Sequence, residues 1–206
     1  MIIKKAEFIT SAARAADFIN SDKPIIAIAG KSNVGKSSFI NALANRSKLA
    51  KTSNTPGRTR LVNYFDFGDF ILADLPGYGF AEVSKAEKDK WSRLMEIFFA
   101  ETKIAHVLSL VDLRHNPTKD DLQMINYLYT YTLPFTLIAT KADKLGKSKI
   151  KPQVSEIASK LKVGVNDIIA VSNETKYGFE KVFDRLDKIL TLYKEVSDFE
   201  NEYEEE

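Results

Sequence analysis

The chain has 206 residues, 44% of them hydrophobic, which is enough for one domain with a buried core and too little for two. It contains no cysteine, which excludes disulfides and thiolate metal sites and suits a reducing compartment. The sequence has no long uncharged apolar run and no secretory leader pattern, so we expect a cytoplasmic protein without a membrane segment.

The formal net charge of +2 is unevenly distributed along the chain. Residues 195–206 hold seven acids and no base. Without those acids, thirty bases face twenty-one acids, so residues 1–194 carry about +9. A basic body favours an anionic partner such as RNA, but it is equally compatible with an ordinary solvated surface.

Apolar runs typical of strands alternate with amphipathic runs typical of helices. Strands are predicted in PIIAIAG, LVNYFDF, DFILADLPG, IAHVLSLVDL, FTLIATKAD and NDIIAVSN, and apolar-striped helices in KAEKDKWSRLMEIFFAE and YGFEKVFDRLDKILTLY. The fold class predicted is α/β, a three-layer sandwich around a mostly parallel six-stranded sheet with one antiparallel edge strand. The second and third strands should form a hairpin through Gly68-Asp69 at that edge.

A glycine-rich motif, GKSNVGKS, directly follows the first of these strands and precedes a helical run. In this strand-to-helix context, backbone N–H groups and a helix N-terminus hold phosphates. Lys36 is expected to reach the β- and γ-phosphates as the catalytic cation, and Ser37 to bind Mg²⁺. The predicted phosphate-binding residues are Gly30, Lys31, Ser32, Asn33, Val34, Gly35, Lys36, Ser37 and Ser38.

A D-x-x-G motif, Asp74-Leu75-Pro76-Gly77, ends the third strand. Asp74 suits a carboxylate that holds Mg²⁺ through water, and Gly77 offers an N–H to the γ-phosphate. The Thr- and Arg-rich segment before this strand is predicted to be a loop whose hydroxyl completes the Mg²⁺ shell only in the triphosphate state. The spacing leaves Thr55 and Thr59 as alternatives.

The tetrapeptide Thr140-Lys141-Ala142-Asp143 follows the fifth strand. The Asp143 carboxylate can accept from N1–H and the exocyclic amine of guanine, whereas adenine lacks that donor pattern and would leave the carboxylate unpaired. The sequence therefore predicts GTP and GDP as ligands. After the last strand, Val171, Ser172 and Asn173 are expected beside the base, with backbone N–H groups of the latter two facing the guanine O6.

The runs GKSNVGKSSFINAL, NTPGRTRLVNYF, DLPGYGFAEVSKAEKDKW, VDLRH and TKAD together resemble the EngB (YihA/YsxC) family of bacterial ribosome-assembly GTPases, in the TrmE-Era-EngA-EngB-septin group. The resemblance spans nearly the whole chain. It implies an EngB-type, Ras-like G domain, which we place at 23–195. Residues 1–22 are predicted to be an extension packed on that domain, and the acidic composition of 196–206 predicts a disordered tail. It also implies assistance to large-subunit assembly on ribosomal RNA, and a need for the protein in cell division and septation.

The same resemblance makes Thr59 the Mg²⁺ ligand beside Ser37. It places Gly57, Arg58, Thr59, Arg60 and Leu61 next to the nucleotide. Many members have a small residue where this chain has Asn173.

Tyr78 follows Gly77, where many small GTPases have a water-orienting Gln. We therefore predict slow intrinsic hydrolysis that relies on Lys36, Mg²⁺ and a partner. Asn33 either holds a K⁺ ion that assists hydrolysis or satisfies its own turn.

Two other classes of protein compete with this interpretation. One is an ATP-dependent kinase or ATPase, and the other is an RNA-binding module that ignores the nucleotide. We expect a monomer, with Lys48, Lys51, Arg58 and Arg60 as candidate RNA contacts.

Overall fold

The computed structural model describes residues 3–51, 61–79 and 84–204, which form seven strands and five α-helices. The strands are β1 Glu7–Ala12, β2 Ile25–Gly30, β3 Val62–Asp66, β4 Ile71–Asp74, β5 Ile104–Asp112, β6 Phe135–Thr140 and β7 Ile168–Ala170. The helices are α1 Lys36–Leu43, α2 Lys85–Glu101, α3 Lys119–Thr130, α4 Lys147–Leu161 and α5 Phe179–Glu204.

All seven strands belong to one sheet, in the order β1-β3-β4-β2-β5-β6-β7. The strands β4, β2, β5, β6 and β7 are parallel, and β3 is antiparallel to both of its neighbours. The predicted count of six strands is wrong, because the N-terminal extension adds β1 at the edge beyond β3. β1 lacks a sequence signal, since Ala12 alone of its six residues is fully buried.

The β3–β4 hairpin is confirmed, although it lies one strand in from the edge. Gly68 has φ +82, a conformation that glycine adopts without strain, and the Phe67 amide donates to the Phe70 carbonyl across the turn at 2.9 Å. The Asp66 carboxylate beside the turn accepts from Lys5 and Lys23, at 2.9 Å each. The Lys5 pair ties the N-terminal extension to the sheet, and the Lys23 pair holds the segment just before β2.

Two helical layers cover the sheet, which confirms the three-layer sandwich. On one face, α2, α3 and α4 bury a cluster that includes Met95 and Phe98, the centre of the predicted α2 stripe. On the other face, α1 and α5 bury a cluster around Phe39 and Leu186. Within the described residues, no helix combines the length and apolar character that crossing a bilayer requires.

The last helix extends further than the sequence predicts. α5 continues to Glu204, so helix covers residues 196–204 of the segment for which we predicted a disordered acidic tail. Glutamate is a good helix former, and a helix already anchored by its buried first half needs little further stabilisation to continue. The disorder predicted from the acidic composition is therefore wrong for residues 196–204.

Candidate nucleotide-binding site

The phosphate-binding loop runs from the end of β2 at Gly30 to the start of α1 at Lys36. Asn33 and Gly35 have φ values of +63 and +106, which turn the chain back on itself. Gly35 is the N-cap of α1 and no side chain caps this helix. The N–H groups of the first turn are therefore available to an anion, where the helix dipole favours negative charge.

Gly30 is required by packing rather than by its backbone angles. A Cβ there would lie 2.9 Å from Val34 Cγ1 and 3.1 Å from the Leu110 carbonyl oxygen. The loop can fold tightly against β5 only because this position has no side chain.

Asp74 ends β4 beside the loop, and its side chain is nearly buried. Its Oδ1 is 3.7 Å from the Lys36 ammonium and has no hydrogen-bond partner in the described part of the chain. Burial raises the pKa of Asp74, while Lys36 and the Asn63 side chain act in the opposite direction. An unpaired carboxylate oxygen next to an anion site fits a Mg²⁺ ion held through water.

The segment after Asp74 is bound to the phosphate-binding loop through Tyr78. The Ser32 amide and hydroxyl donate to the Tyr78 carbonyl at 2.9 and 3.2 Å, and the Tyr78 amide donates to the Gly30 carbonyl at 3.4 Å. Gly77 lies directly over Ser32, since a Cβ on Gly77 would be 3.0 Å from Ser32 Oγ. Movement of the D-x-x-G segment must therefore break contacts with the loop.

The Tyr78 side chain is buried and directed at α2 and α3. Its hydroxyl donates to Asp121 Oδ1 on α3 at 2.9 Å, and its ring packs edge-on against Trp91 of α2. Burial, together with the Asp121 carboxylate, raises the pKa of Tyr78 well above its ordinary value. The Trp91 indole N–H in turn donates to the Pro76 carbonyl at 3.0 Å.

The predicted guanine-reading loop is tied to the phosphate-binding loop by two side chains. Thr140 Oγ1 donates to the Val34 carbonyl at 2.7 Å, and Lys141 Nζ donates to the Asn33 carbonyl at 2.9 Å. Lys141 Nζ also contacts Asp112 at the end of β5, at 2.9 Å. The two loops are thus held together by these hydrogen bonds. Asp112, at the end of β5, fixes the position of Lys141 within them.

Asp143, the predicted guanine-reading carboxylate, follows the end of β6. Its Oδ2 is buried and makes no hydrogen bond within the described residues, although the Lys144 ammonium lies 3.0 Å away. Burial opposes ionisation of Asp143, but the Ser172 hydroxyl and Lys144 outweigh it and hold the pKa below its usual value. An ionised carboxylate at this position suits the two N–H donors of guanine.

The prediction that the Ser172 amide faces the base is wrong, because this N–H donates to the Tyr177 carbonyl at 3.0 Å. Ser172 instead supports Asp143 through its hydroxyl. Asn173 Nδ2 lies 3.4 Å from the Gly35 carbonyl, and Asn173 Oδ1 is buried without a partner among the described residues. Val171 is part of the core beneath the loop.

The predicted nucleotide-contacting segment before β3 lies mostly outside the described residues. Leu61 is half-buried immediately before β3. The remaining predicted residues of that segment lie outside the described residues: Thr55, Gly57, Arg58, Thr59 and Arg60.

One cavity in the described part of the chain has a volume of about 400 Å³. It lies between Lys31–Val34, the end of β5 and the first turn of α3, and it is lined by neither Lys36 nor Asp143. It therefore adjoins the phosphate-binding loop without being the nucleotide cleft.

The strand-to-helix loop after β2, Asp74 after β4 and Asp143 after β6 all lie at the carboxyl ends of parallel strands. This arrangement on this fold is that of a P-loop GTPase. The sequence model of the family described as 50S ribosome-binding GTPase matches residues 25–141.

Relatives identify the family more narrowly. The chain is 46% identical to the probable GTP-binding protein EngB of Streptococcus sanguinis over 184 residues, which cover 88% of this chain and 94% of that relative. It is 43% identical over 193 residues to the protein of the same name from Mycoplasma capricolum, covering 92% and 98%. The chain belongs to the EngB family of GTP-binding proteins.

Solved structures agree on the fold. A crystal structure of a probable GTP-binding protein EngB superimposes with a TM-score of 0.68 at 21% identity, over 81% of this chain and 98% of that chain. Era in complex with MgGDPNP and nucleotides 1506–1542 of 16S ribosomal RNA gives a TM-score of 0.61 at 22% identity, over 84% and 57%.

Proposed function

We propose that this GTPase is a Mg²⁺-dependent switch that assists assembly of the large ribosomal subunit, acting in the cytoplasm as a monomer. By family likeness, normal cell division and septation depend on it. The observation that carries the switch is the set of hydrogen bonds between Tyr78 and the phosphate-binding loop. They connect the D-x-x-G segment, and through it α2 and α3, to the place where the terminal phosphate binds.

In this proposal, residues 30–38 hold the phosphates, and Asp143 reads guanine with Lys141 along the base. Ser37 and Thr59 are the protein ligands of Mg²⁺, and Asp74 holds one of its waters. The metal would neutralise charge on the phosphate oxygens. The Lys36 ammonium, 3.7 Å from Asp74 Oδ1, is then shared between that carboxylate and the phosphates, where it stabilises developing charge.

Slow intrinsic hydrolysis is part of the proposal. The Tyr78 hydroxyl is engaged with Asp121 and the ring is enclosed by Trp91. This side chain is therefore held away from the position from which a water would be oriented, and a partner must supply that help. A turnover near 1 s⁻¹ for the isolated protein would contradict it, because such a rate already falls in the ordinary range for enzymes, roughly 1–10³ s⁻¹.

Asn33 is the candidate K⁺ site. Its left-handed conformation, φ +63, is one that Asn tolerates in turns, and its carbonyl accepts from Lys141. These contacts favour a turn role over ion binding. We expect equal GTP turnover in K⁺ and Na⁺ buffers, and a several-fold stimulation by K⁺ would support the ion instead.

The ribosomal partner is supported by the family description and by the basic body of about +9. The direct experiment is co-sedimentation of the protein with large-subunit particles in the presence of a non-hydrolysable GTP analogue, GDP or no nucleotide. We expect retention to differ by at least tenfold in apparent affinity between nucleotide states, since a useful switch needs a differential free energy of a few kcal/mol.

A Lys36→Ala variant is the control, because it should lose the nucleotide dependence while keeping its fold. Equal retention in all three conditions would show an RNA-binding module that ignores its nucleotide. Preference for mant-ATP over mant-GTP in a separate binding assay would overturn the assignment of Asp143.

A further inference from the structure

Three polar residues stand side by side across the N-terminal half of the sheet. Ser11 pairs with Asn63 in the β1–β3 register, and Asn63 pairs with Asp74 in the β3–β4 register. Residues paired in register point to the same face of a sheet, so the three side chains form one row. Their face is the one covered by α1, which carries Lys36 and Ser37.

The hydrogen bond at the outer end of the row fixes the orientation of the middle residue. Ser11 Oγ donates to Asn63 Oδ1 at 2.7 Å, in a half-buried position. With its oxygen held by Ser11, the carboxamide presents its Nδ2 donors to the other side, where Asp74 is the next residue in the row. The opposite orientation would direct an amide oxygen at a carboxylate oxygen, which is repulsive.

Asp74 is nearly buried, and its Oδ1 accepts no hydrogen bond from any described residue. The Asn63 amide therefore serves the other oxygen of the carboxylate and leaves Oδ1 to the metal-bound water. A carboxylate that serves a metal ion through one oxygen is normally held by hydrogen bonds from neighbouring groups, which fix its direction. No other side-chain amide neighbours Asp74 along the β3–β4 register.

We propose that Asn63 is a positioning residue that orients the Asp74 carboxylate toward the Mg²⁺-bound water, and that Ser11 of the N-terminal strand holds Asn63 in the required orientation. The N-terminal extension thereby has a role at the metal site, in addition to covering the edge of the sheet. This inference rests on the Mg²⁺ site described under the proposed function.

The test measures Mg²⁺ binding rather than turnover. The dissociation rate of mant-GDP from the intact protein is recorded against free Mg²⁺, and the midpoint of the Mg²⁺ dependence is compared between variants. For Asn63→Ala we expect the midpoint to rise by about 10- to 100-fold, the usual effect of removing a group that holds a metal-ligating carboxylate. Release in EDTA should match the wild type, because Asn63 acts only through the metal.

Ser11→Ala is the second variant, and it keeps the inference testable if Asn63→Ala folds poorly. It removes one neutral hydrogen bond at the edge of the sheet, so the midpoint should rise by roughly two- to tenfold. Thr10→Ala is the matched control: it removes a hydroxyl from the adjacent, exposed position of β1, which faces the other side of the sheet. It should leave the midpoint unchanged.

The double variant separates positioning from general loosening of the sheet. If Ser11 acts through Asn63, Ser11→Ala should have no further effect on the Mg²⁺ midpoint in the Asn63→Ala background. An unchanged midpoint in Asn63→Ala, equal effects with and without EDTA, or an effect of Thr10→Ala equal to that of Ser11→Ala would each overturn the inference. A wild-type protein without any Mg²⁺ dependence would overturn the Mg²⁺ site as well.

Discussion

Tyr64 and Tyr78 are both buried, but they differ in what their hydroxyls contact. The Tyr78 hydroxyl donates to Asp121, whereas the Tyr64 hydroxyl makes no well-formed hydrogen bond within the described chain. Burial raises the pKa of Tyr64 to about 12. Replacement by Phe removes only the hydroxyl from either residue. In Tyr78 this change removes a hydrogen bond, and in Tyr64 it removes none.

Replacing Tyr78 by Phe should lower the free energy of unfolding by about 1–3 kcal/mol, because a buried bond to a carboxylate is lost. The Tyr64→Phe variant should change it by roughly 0.5 kcal/mol or less, since no partner is left behind. Urea denaturation of both variants measures the difference. Equal losses would mean that the Asp121 contact contributes nothing beyond burial of the ring.

His106, in β5, is a buried titratable side chain. Its Nε2 lies 2.9 Å from Thr136 Oγ1, and burial, with the nearby Arg185 cation, lowers its pKa from 6.5 to about 4. Because the folded state favours the neutral ring, this stabilisation is complete above pH 6.5 and is lost as the pH falls toward 4. The loss in unfolding free energy should reach at most about 3 kcal/mol.

Denaturation between pH 7 and pH 4.5 tests this prediction, with His106→Gln as the comparison because Gln does not titrate. The variant should be less stable than the wild type at pH 7 and should lose less stability on acidification. Parallel pH profiles for the two proteins would contradict a neutral, buried His106.

The position of a residue in the fold could be predicted from sequence where a motif fixes a residue type next to a strand or helix. Lys36, Asp74 and Asp143 all occupy the places that their motifs indicate. The contacts made by their neighbours could not be predicted in the same way. The Lys141 bond to Asp112 joins residues 29 positions apart, and the Ser172 amide is used by the local turn. These hydrogen-bond partners are brought together by tertiary packing, which leaves no pattern in the local sequence.

At the scale of elements, periodicity located α2 without error because its start carries a strong signal. Ser84 and Glu87 form a reciprocal capping box, in which the Ser84 hydroxyl accepts from the Glu87 amide. The buried stripe of α2 then runs through Met95, Phe98 and Phe99, and the helix ends at Glu101. β1 lacks any comparable signal, because an edge strand is held by backbone pairing on one side and needs few buried side chains.

Replacing Ser84 by Ala should destabilise the start of α2 and lower the free energy of unfolding by about 1 kcal/mol, because the first-turn amides lose an acceptor. Ser84→Asp is the control, since Asp is an equally good N-cap and should retain wild-type stability. Thermal denaturation of the three proteins gives the comparison. A loss in Ser84→Asp equal to that in Ser84→Ala would show that the cap does not limit stability.

In the whole molecule, the sheet order brings the sequence motifs of the predicted site together. Each functional motif follows one of the parallel strands β2, β4, β6 and β7, whose carboxyl ends share one edge of the sheet. Alternation of strands and helices is enough to predict that arrangement. Neither this alternation nor the hairpin turn predicts the antiparallel β1–β3 pairing at the other end, where the N-terminal strand comes alongside Asn63.

The uneven charge distribution bears on the proposed ribosomal partner. Lys48 and Lys51 are exposed after α1, close in sequence to the predicted switch loop. If they contact RNA phosphates, affinity for large-subunit particles should fall steeply with salt. The Lys48→Glu and Lys51→Glu variants should each reduce the slope of log affinity against log salt by about one.

Lys188→Glu on α5 makes the same change in net charge at an exposed position on another part of the surface, so it separates local contact from overall charge. Binding to large-subunit particles, measured across a series of salt concentrations, distinguishes local contact from the effect of overall charge. Because long-range attraction depends on net charge while counterion release depends on contact, Lys188→Glu should shift the affinity slightly and leave the slope unchanged. An equal change of slope in all three variants would mean that the basic body steers association without these two lysines touching RNA.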